Sequence, residues 1–238
     1  PVIVDLRRRW RHPKSLSLHS KITLTTYIAL AVVTGLMIAA LEWNNPYTFG
    51  DLDFSEKALN TIVGAINTRS LGISAIDVSQ MTGASWLVQD ISMFFGGGSG
   101  SHAGGIKVTT FTILVLAAWA EARGRRDVEA FRRRLPQNTI RQAVAVLLVA
   151  VVLVLSVSAI LLVITPFTLD RILFEVISAF GTVGLSTGIT SALPPAAKLL
   201  LALVMVVGRV GPMTFAAGLA LRERRSFIRM PEERPIVG

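Results

Sequence analysis

Residues 143–187, AVAVLLVAVVLVLSVSAILLVITPFTLDRILFEVISAFGTVGLST, open with a run from Ala143 to Ile164 that carries no charge. About 20 apolar residues in helical form cross a hydrocarbon core about 30 Å thick, and this run is long enough. After the crossing run comes a shorter piece, Leu169 to Gly181, which is moderately apolar, helix-compatible and too short to cross. Thr168 stands where an N-terminal cap would. The short piece runs into Thr182-Val183-Gly184-Leu185-Ser186-Thr187. The order is therefore a crossing helix, a helix that can only dip, and a Gly-containing extended string.

The same order occurs upstream. Ile22 to Leu41 is a charge-free run of crossing length, Phe54 to Asn67 is a short helical piece, and Thr68-Arg69-Ser70-Leu71-Gly72-Ile73-Ser74 is its Gly string. Asp53 with Glu56 three residues later matches an N-terminal capping box. Each string is followed by an interrupted apolar stretch. Trp86 to Ala120 is broken by Gly96-Gly97-Gly98-Ser99-Gly100-Ser101-His102-Ala103-Gly104-Gly105, and Ala197 to Leu221 contains Gly208-Arg209-Val210-Gly211-Pro212. Glycine and proline break helices, and broken backbone at membrane depth must line protein or a watery cavity. Gly72 and Gly184 hold equivalent places in the two strings, and their separation sets the period of an internal repeat. The expected fold is an all-α integral membrane protein of two tandem helix–pore-loop–helix repeats of the K⁺-channel-like type, with both second helices broken. The expected division is a basic segment 1–21, a first repeat 22–120 (helix 22–41, short helix 54–67, string 68–74, broken helix 86–120), a basic linker 121–141, a second repeat 142–221 (143–164, 169–181, 182–187, 197–221) and a tail 222–238.

Composition agrees with a membrane setting. Of 238 residues, 52% are hydrophobic and only 16% charged, with a mean hydropathy of +0.58. Soluble domains carry about 25% charge. The absence of cysteine excludes disulfides, thiolate metal sites and Cys nucleophiles. His12, His19 and His102 are too far apart in sequence to suggest a zinc site. No pattern of catalytic residues points to an enzyme.

The net charge of +9 could suggest nucleic acid, but its distribution points elsewhere. Eighteen of the 24 Lys and Arg fall in residues 1–21, 121–141 and 222–238. The positive-inside rule then places both ends and the central linker in the cytoplasm of a multi-pass protein of the plasma membrane. Lipid contact and topology account for the arginines without nucleic acid. The segment 42–56 carries Glu42, Asp51, Asp53 and Glu56, either an ordinary solvated loop or a cation-concentrating mouth. The chain begins with Pro1 in Arg-rich sequence, and a natural N-terminus further upstream is expected.

A short helix that enters from outside ends near the midplane with free carbonyls carrying partial negative charge. The chain then returns as extended backbone. Glycine there permits successive carbonyls to face one axis, and rings of carbonyls replace the hydration shell of an alkali cation. Ser70, Leu71, Gly72 and Ile73 and Thr182, Val183, Gly184 and Leu185 are the candidate filter strands. K⁺ would bind at the carbonyls of Ser70, Leu71, Gly72, Thr182, Val183 and Gly184. Residues Gly96, Gly97, Gly98, Ser99, Gly100, Ser101, His102, Ala103, Gly104 and Gly105 would form either a movable plug below the filter or a flexible break for close packing. Gly98-Ser99-Gly100 lacks the context of a nucleotide loop. Arg209 would be a positive charge near the pore that acts with this loop, or would be neutralised by helix carbonyls or Asp90. Lys107 fits a loop anchor or a snorkelling side chain, and His102 a solvated loop residue or one that makes the loop pH-sensitive.

With these residues on the page, the sequence resembles the Trk/Ktr/HKT superfamily of K⁺ transporters, most closely the KtrB-type pore subunit. Residues 96–111, GGGSGSHAGGIKVTTF, look like the broken inner helix of that family's third repeat. Residues 178–190, SAFGTVGLSTGIT, resemble its fourth filter, 208–215, GRVGPMTF, its fourth inner helix with the pore Arg, and 15–26, SLSLHSKITLTT, the start of its third repeat. The resemblance implies that this is the last two of four repeats around one pore, with the missing first two supplied either by upstream sequence or by a second polypeptide. It also implies a homodimer on a cytoplasmic ring of nucleotide-binding regulatory subunits, with nucleotide bound by that partner and only K⁺, or Na⁺, by this chain. The family often has Thr-Ala-Gly-Phe where this chain has Ser70-Leu71-Gly72-Ile73, and a small hydroxyl residue where it has His102.

Two other classes fit less of the sequence. A Na⁺-coupled secondary transporter with a site at broken helices explains the repeat and the interruptions but not the short helices before the Gly strings. A membrane scaffold explains neither string.

Overall fold

The computed structural model describes residues 2–9, 16–69, 72, 74, 76–98, 103–125 and 127–221. It is mostly helical. A short amphipathic helix α1 (Val2–Arg9) precedes α2 (Leu18–Glu42), α3 (Phe54–Asn67), α4 (Gly83–Phe94) and α5 (Val108–Ala122). A two-stranded hairpin, β1 (Glu129–Ala130) and β2 (Arg133–Arg134), leads to α6 (Gln137–Ile164), α7 (Leu169–Gly181) and α8 (Pro195–Leu221).

Among the described residues, α2 and α6 are long and apolar enough to cross a membrane. Most of their apolar surface is uncovered: Val152 is 63% exposed and Val163 86%. A soluble core helix of this hydropathy would bury such side chains, whereas acyl chains solvate them.

The helix boundaries follow local chemistry. Ser17 caps α2 by accepting from the Ser20 N–H, at 3.2 Å. Asp53 and Glu56 form the reciprocal capping box on α3. Thr82 caps α4 through the Ser85 N–H. Thr168 holds the N-cap position of α7, but its hydroxyl makes no capping bond. The hairpin turns through Phe131 and Arg132, both at positive φ, as a two-residue turn of right-twisting strands requires. Arg134 pairs with Asp127 at 2.8 Å.

The core lies around α7, which packs on α4, α6 and α8. Phe174 and Val176 are fully buried, and Phe180 is 1% exposed. By contrast, α3 packs chiefly on α2. It leaves Leu59, Ile62 and Ile66 exposed on its other face. A chain of hydroxyls joins α2, α3 and α4: Thr34 donates to Ser92 at 3.0 Å, and Ser92 bonds Thr68 at 3.1 Å. Such interhelical bonds hold apolar helices together where lipid removes the hydrophobic driving force.

One expectation is overturned. The first interrupted stretch does break, between α4 and α5, but the second does not. α8 runs unbroken through Gly208, Arg209 and Pro212. Pro212 has no N–H for the carbonyl four residues back, which belongs to Gly208. That carbonyl is taken instead by the Gly105 N–H, at 3.1 Å. A distant donor meets the need that the proline creates, and the helix continues.

Candidate functional site

The site assembles at the C-terminal ends of α3 and α7. Thr182 closes α7 in the left-handed region, at φ 51°. Its N–H and that of Val183 return to the carbonyls of Ala179 (3.0 Å) and Ser178 (2.9 Å). From Val183 to Thr187 the chain has no regular secondary structure.

Two side chains of α7 fasten this strand. Ser178 Oγ donates to the Leu185 carbonyl at 2.6 Å. Glu175 accepts from the Thr187 N–H at 3.0 Å, the Thr190 hydroxyl at 2.6 Å, and the hydroxyls of Ser186 and Thr187. The carboxylate is 5% exposed and fully used. The Leu185 carbonyl is held from behind, so α7 fixes the direction of the strand as well as its start.

Gly184 and Gly72, the two glycines that mark the period, meet in space. Both have positive φ, 93° and 63°. A Cβ on Gly184 would lie 3.3 Å from the Gly72 Cα, and one on Gly72 would lie 2.9 Å from the Val183 carbonyl oxygen. Only glycine allows both the conformation and the approach. Ser70, Leu71 and Ile73 lie outside the described residues, so of the first candidate strand only Gly72 is placed.

The break between α4 and α5 sits against the start of the second strand. The Gly104 N–H donates to Thr182 Oγ1 at 3.0 Å, and the Gly105 N–H donates to the Gly208 carbonyl. Across the neck of the break, the Ile106 N–H donates to the Phe94 carbonyl at 3.2 Å and the Val108 N–H to the Gly97 carbonyl at 3.4 Å. Lys107 Nζ donates to the Ala103 carbonyl, which makes it an anchor of the loop. The glycines are sterically required. A Cβ on Gly96 would lie 2.1 Å from the Gly104 oxygen, and one on Gly104 2.8 Å from Thr182 Oγ1. A Cβ on Gly208 would lie 2.0 Å from the Phe180 oxygen, so α8 touches the end of α7 backbone to backbone. Ser99, Gly100, Ser101 and His102 lie outside the described residues.

Arg209 is exposed and close enough to Lys107 for the two cations to interact. Asp90, the acid that could have neutralised it, is 4% exposed on α4, and its Oδ1 has no hydrogen-bond partner.

Glu42 differs from both readings of the acidic segment 42–56. It is 0% exposed and accepts from Asn45, Thr48, Ser85 and both the N–H and hydroxyl of Thr82. It ties the end of α2 to the start of α4 and is unavailable to passing ions. Thr82 and Ser85 lie far along the chain from it, beyond what local sequence can show. Sequence reasoning also misses Glu175, although a carboxylate inside a short apolar helix is itself a signal. Outside the helices, Asp77 is held below the usual carboxylate range by the hydrogen bonds it accepts from the Ser79 hydroxyl and N–H.

Arg69 follows α3, is 6% exposed and stacks over the Tyr27 ring at 4.9 Å. None of its side-chain nitrogens has a hydrogen-bond partner.

The TrkH family, described as cation transport proteins, matches residues 3–225. Over its full length the chain is 33% identical to the Ktr system potassium uptake protein B of Vibrio alginolyticus and covers 52% of that protein. It is 34% identical to the Ktr system potassium uptake protein B of Bacillus subtilis, covering 53% of it. Over 94% of the chain it is 36% identical to the potassium/sodium uptake protein NtpJ of Enterococcus hirae, covering 51%. The chain thus spans about half the length of the curated relatives it matches. It belongs to the TrkH family of cation transport proteins.

Proposed function

We propose that this chain is the membrane-embedded second half of a K⁺-translocating pore subunit, with two pore-loop repeats that contribute half of a backbone-carbonyl filter. The observation that carries this reading is the meeting of Gly72 and Gly184, distant in sequence and equivalent in the repeat, beyond the ends of two short helices. Carbonyl ends of helices carry partial negative charge, and extended Gly-containing backbone can present carbonyls to a dehydrated cation. The ions would bind at carbonyls of Ser70, Leu71, Gly72, Thr182, Val183 and Gly184. The names of these three relatives, uptake proteins for potassium or for potassium and sodium, support the substrate.

In this reading the loop 96–105 is the gate. Its hydrogen bond to Thr182 holds it directly against the second filter strand, and Arg209 with Lys107 adds positive charge that opposes a cation there. Transport needs no covalent chemistry, so the subunit is no enzyme.

The same reading gives the partners. The exposed apolar face of α3, with Leu59, Ile62 and Ile66, suits the missing first two repeats. The bilayer covers α2 and α6, and both ends of the chain face the cytoplasm by the positive-inside rule. A homodimer and a nucleotide-binding ring on the cytoplasmic side follow from the family resemblance.

The decisive experiment is K⁺ uptake by K⁺-transport-deficient bacteria that express residues 1–238 with and without an upstream half, each with Gly184 or Gly184→Ser. Uptake that needs the upstream half and Gly184 supports the four-repeat filter. Uptake indifferent to Gly184 overturns it.

The break between α4 and α5 also suits a second reading, a Na⁺-coupled transporter with alternating access. Obligatory, stoichiometric Na⁺ co-transport would favour it, whereas K⁺ flux in the absence of Na⁺ would exclude it.

A further inference from the structure

The face that α3 turns inward is polar. Asn60, Val63, Gly64 and Asn67 follow the spacing of one helical stripe, and together they line a cavity between α2, α3 and α4. The outward face carries the exposed Leu59, Ile62 and Ile66. Amides turned into a protein need partners there, because buried polar groups are hydrogen-bonded.

Gln89, on α4, lines the same cavity. It is 3% exposed, and its Nε2 donates at 3.0 Å to the Met81 sulfur, a weak acceptor. Among the described residues no donor reaches its Oε1. Gly64 makes the room, since a Cβ there would meet only Ile38 Cδ1, at 3.9 Å. The cavity offers about 30 Å³ to the centres of water-sized molecules. One water needs about 10–15 Å³ of such space, so about two fit. Ile76 and Leu185, which follow Gly72 and Gly184 in the chain, form part of the wall. The cavity therefore backs both candidate strands.

The occupant must both donate and accept. An amide offers N–H donors and a carbonyl acceptor; water partners both, a bare cation only the oxygens. No charged side chain lines the cavity among the described residues, and an unpaired cation there would be costly. An acyl chain partners neither group.

We infer that this cavity is a site for about two ordered water molecules, which bridge Gln89 Oε1 to the amides of Asn60 and Asn67 and prop both strands from behind. The inference stands on packing alone and does not depend on the conduction reading.

The test is X-ray hydroxyl-radical footprinting of the full-length protein in detergent, in which bound water yields radicals that oxidise the nearest side chains. Met81 and Met93 are both buried, at 8% and 0% exposed, and Met81 lines the cavity whereas Met93 does not. Met81 should oxidise several-fold faster than Met93. Gln89→Leu keeps the bulk but removes the hydrogen bonds, and should bring Met81 down to the Met93 rate. Gly64→Ala puts a methyl group where one water sits. It should also slow Met81, and it tests the site if Gln89→Leu fails to fold. Equal rates at the two methionines in the parent protein would mean a dry cavity and overturn the inference. A fast Met81 indifferent to both variants would trace its oxidation to outside exposure and overturn it too. Saturable protection of Met81 by added Na⁺ or K⁺ would assign the site to a cation, again against the inference. No arm measures ion flux, so a failed conduction reading cannot be mistaken for a failed site.

Discussion

The Gly105 N–H donates at 3.1 Å to the carbonyl of Gly208, the one carbonyl in α8 that Pro212 leaves without its helical donor. The loop is thus fastened to the last helix by a vacancy that the proline creates. Pro212→Ala restores an intrahelical N–H that competes for this carbonyl. The loop should then spend more time away from Thr182. We expect Rb⁺ uptake into proteoliposomes to rise several-fold, with α8 still helical. Unchanged flux would show that the bond does not hold the gate.

Arg209 and the loop should act in the same direction. Arg209→Gln removes a positive charge beside Lys107, and deletion of residues 99–102 shortens the loop while sparing its anchored glycines. Each should raise K⁺ uptake, because each lowers a barrier against the filter. If both variants insert normally and both transport at the parent rate, the assignment of the gate is wrong.

Glu175 is predicted to set selectivity through the strand it holds. Glu175→Gln keeps the shape but presents an amide that cannot accept from all the donors at Ser186, Thr187 and Thr190. Each unmade buried bond costs about 1–3 kcal/mol. The K⁺/Na⁺ flux ratio should fall well before folding is lost, whereas Glu175→Ala should also lower the thermal midpoint. A variant with normal insertion and an unaltered ratio would reduce Glu175 to a purely structural role.

Glu42 gives a contrasting prediction. Its carboxylate serves the junction of α2 and α4, away from Gly184. Glu42→Ala should leave donors at Thr48, Thr82 and Ser85 unpaired and cost about 2–4 kcal/mol in total. The thermal midpoint should drop by several degrees, while the K⁺/Na⁺ ratio of the surviving protein stays at the parent value. A changed ratio would place Glu42 in the ion path after all.

The helices are legible in the sequence because their signals are local. Charge-free runs mark α2 and α6, and Asp53 with Glu56 fixes the start of α3. The meeting of Gly72 and Gly184 is foreshadowed by their shared period. What sequence cannot show depends on distant partners. Pro212 reads as a break until Gly105 is seen beside Gly208. Glu42 reads as a solvated acid until Thr82 and Ser85 surround it. Asp90 gives only the hint that any intramembrane carboxylate gives.

The bond between Gly105 and Gly208 also makes α8 a lever. Gly208 lies midway along the helix Pro195–Leu221, about 20 Å from its first turn at about 1.5 Å per residue. A tilt of about 10° pivoting near Pro195 would carry the Gly208 carbonyl about 3 Å sideways, more than a hydrogen bond tolerates. A modest swing of the C-terminal end of this one helix would therefore unlatch the loop without any ligand reaching it.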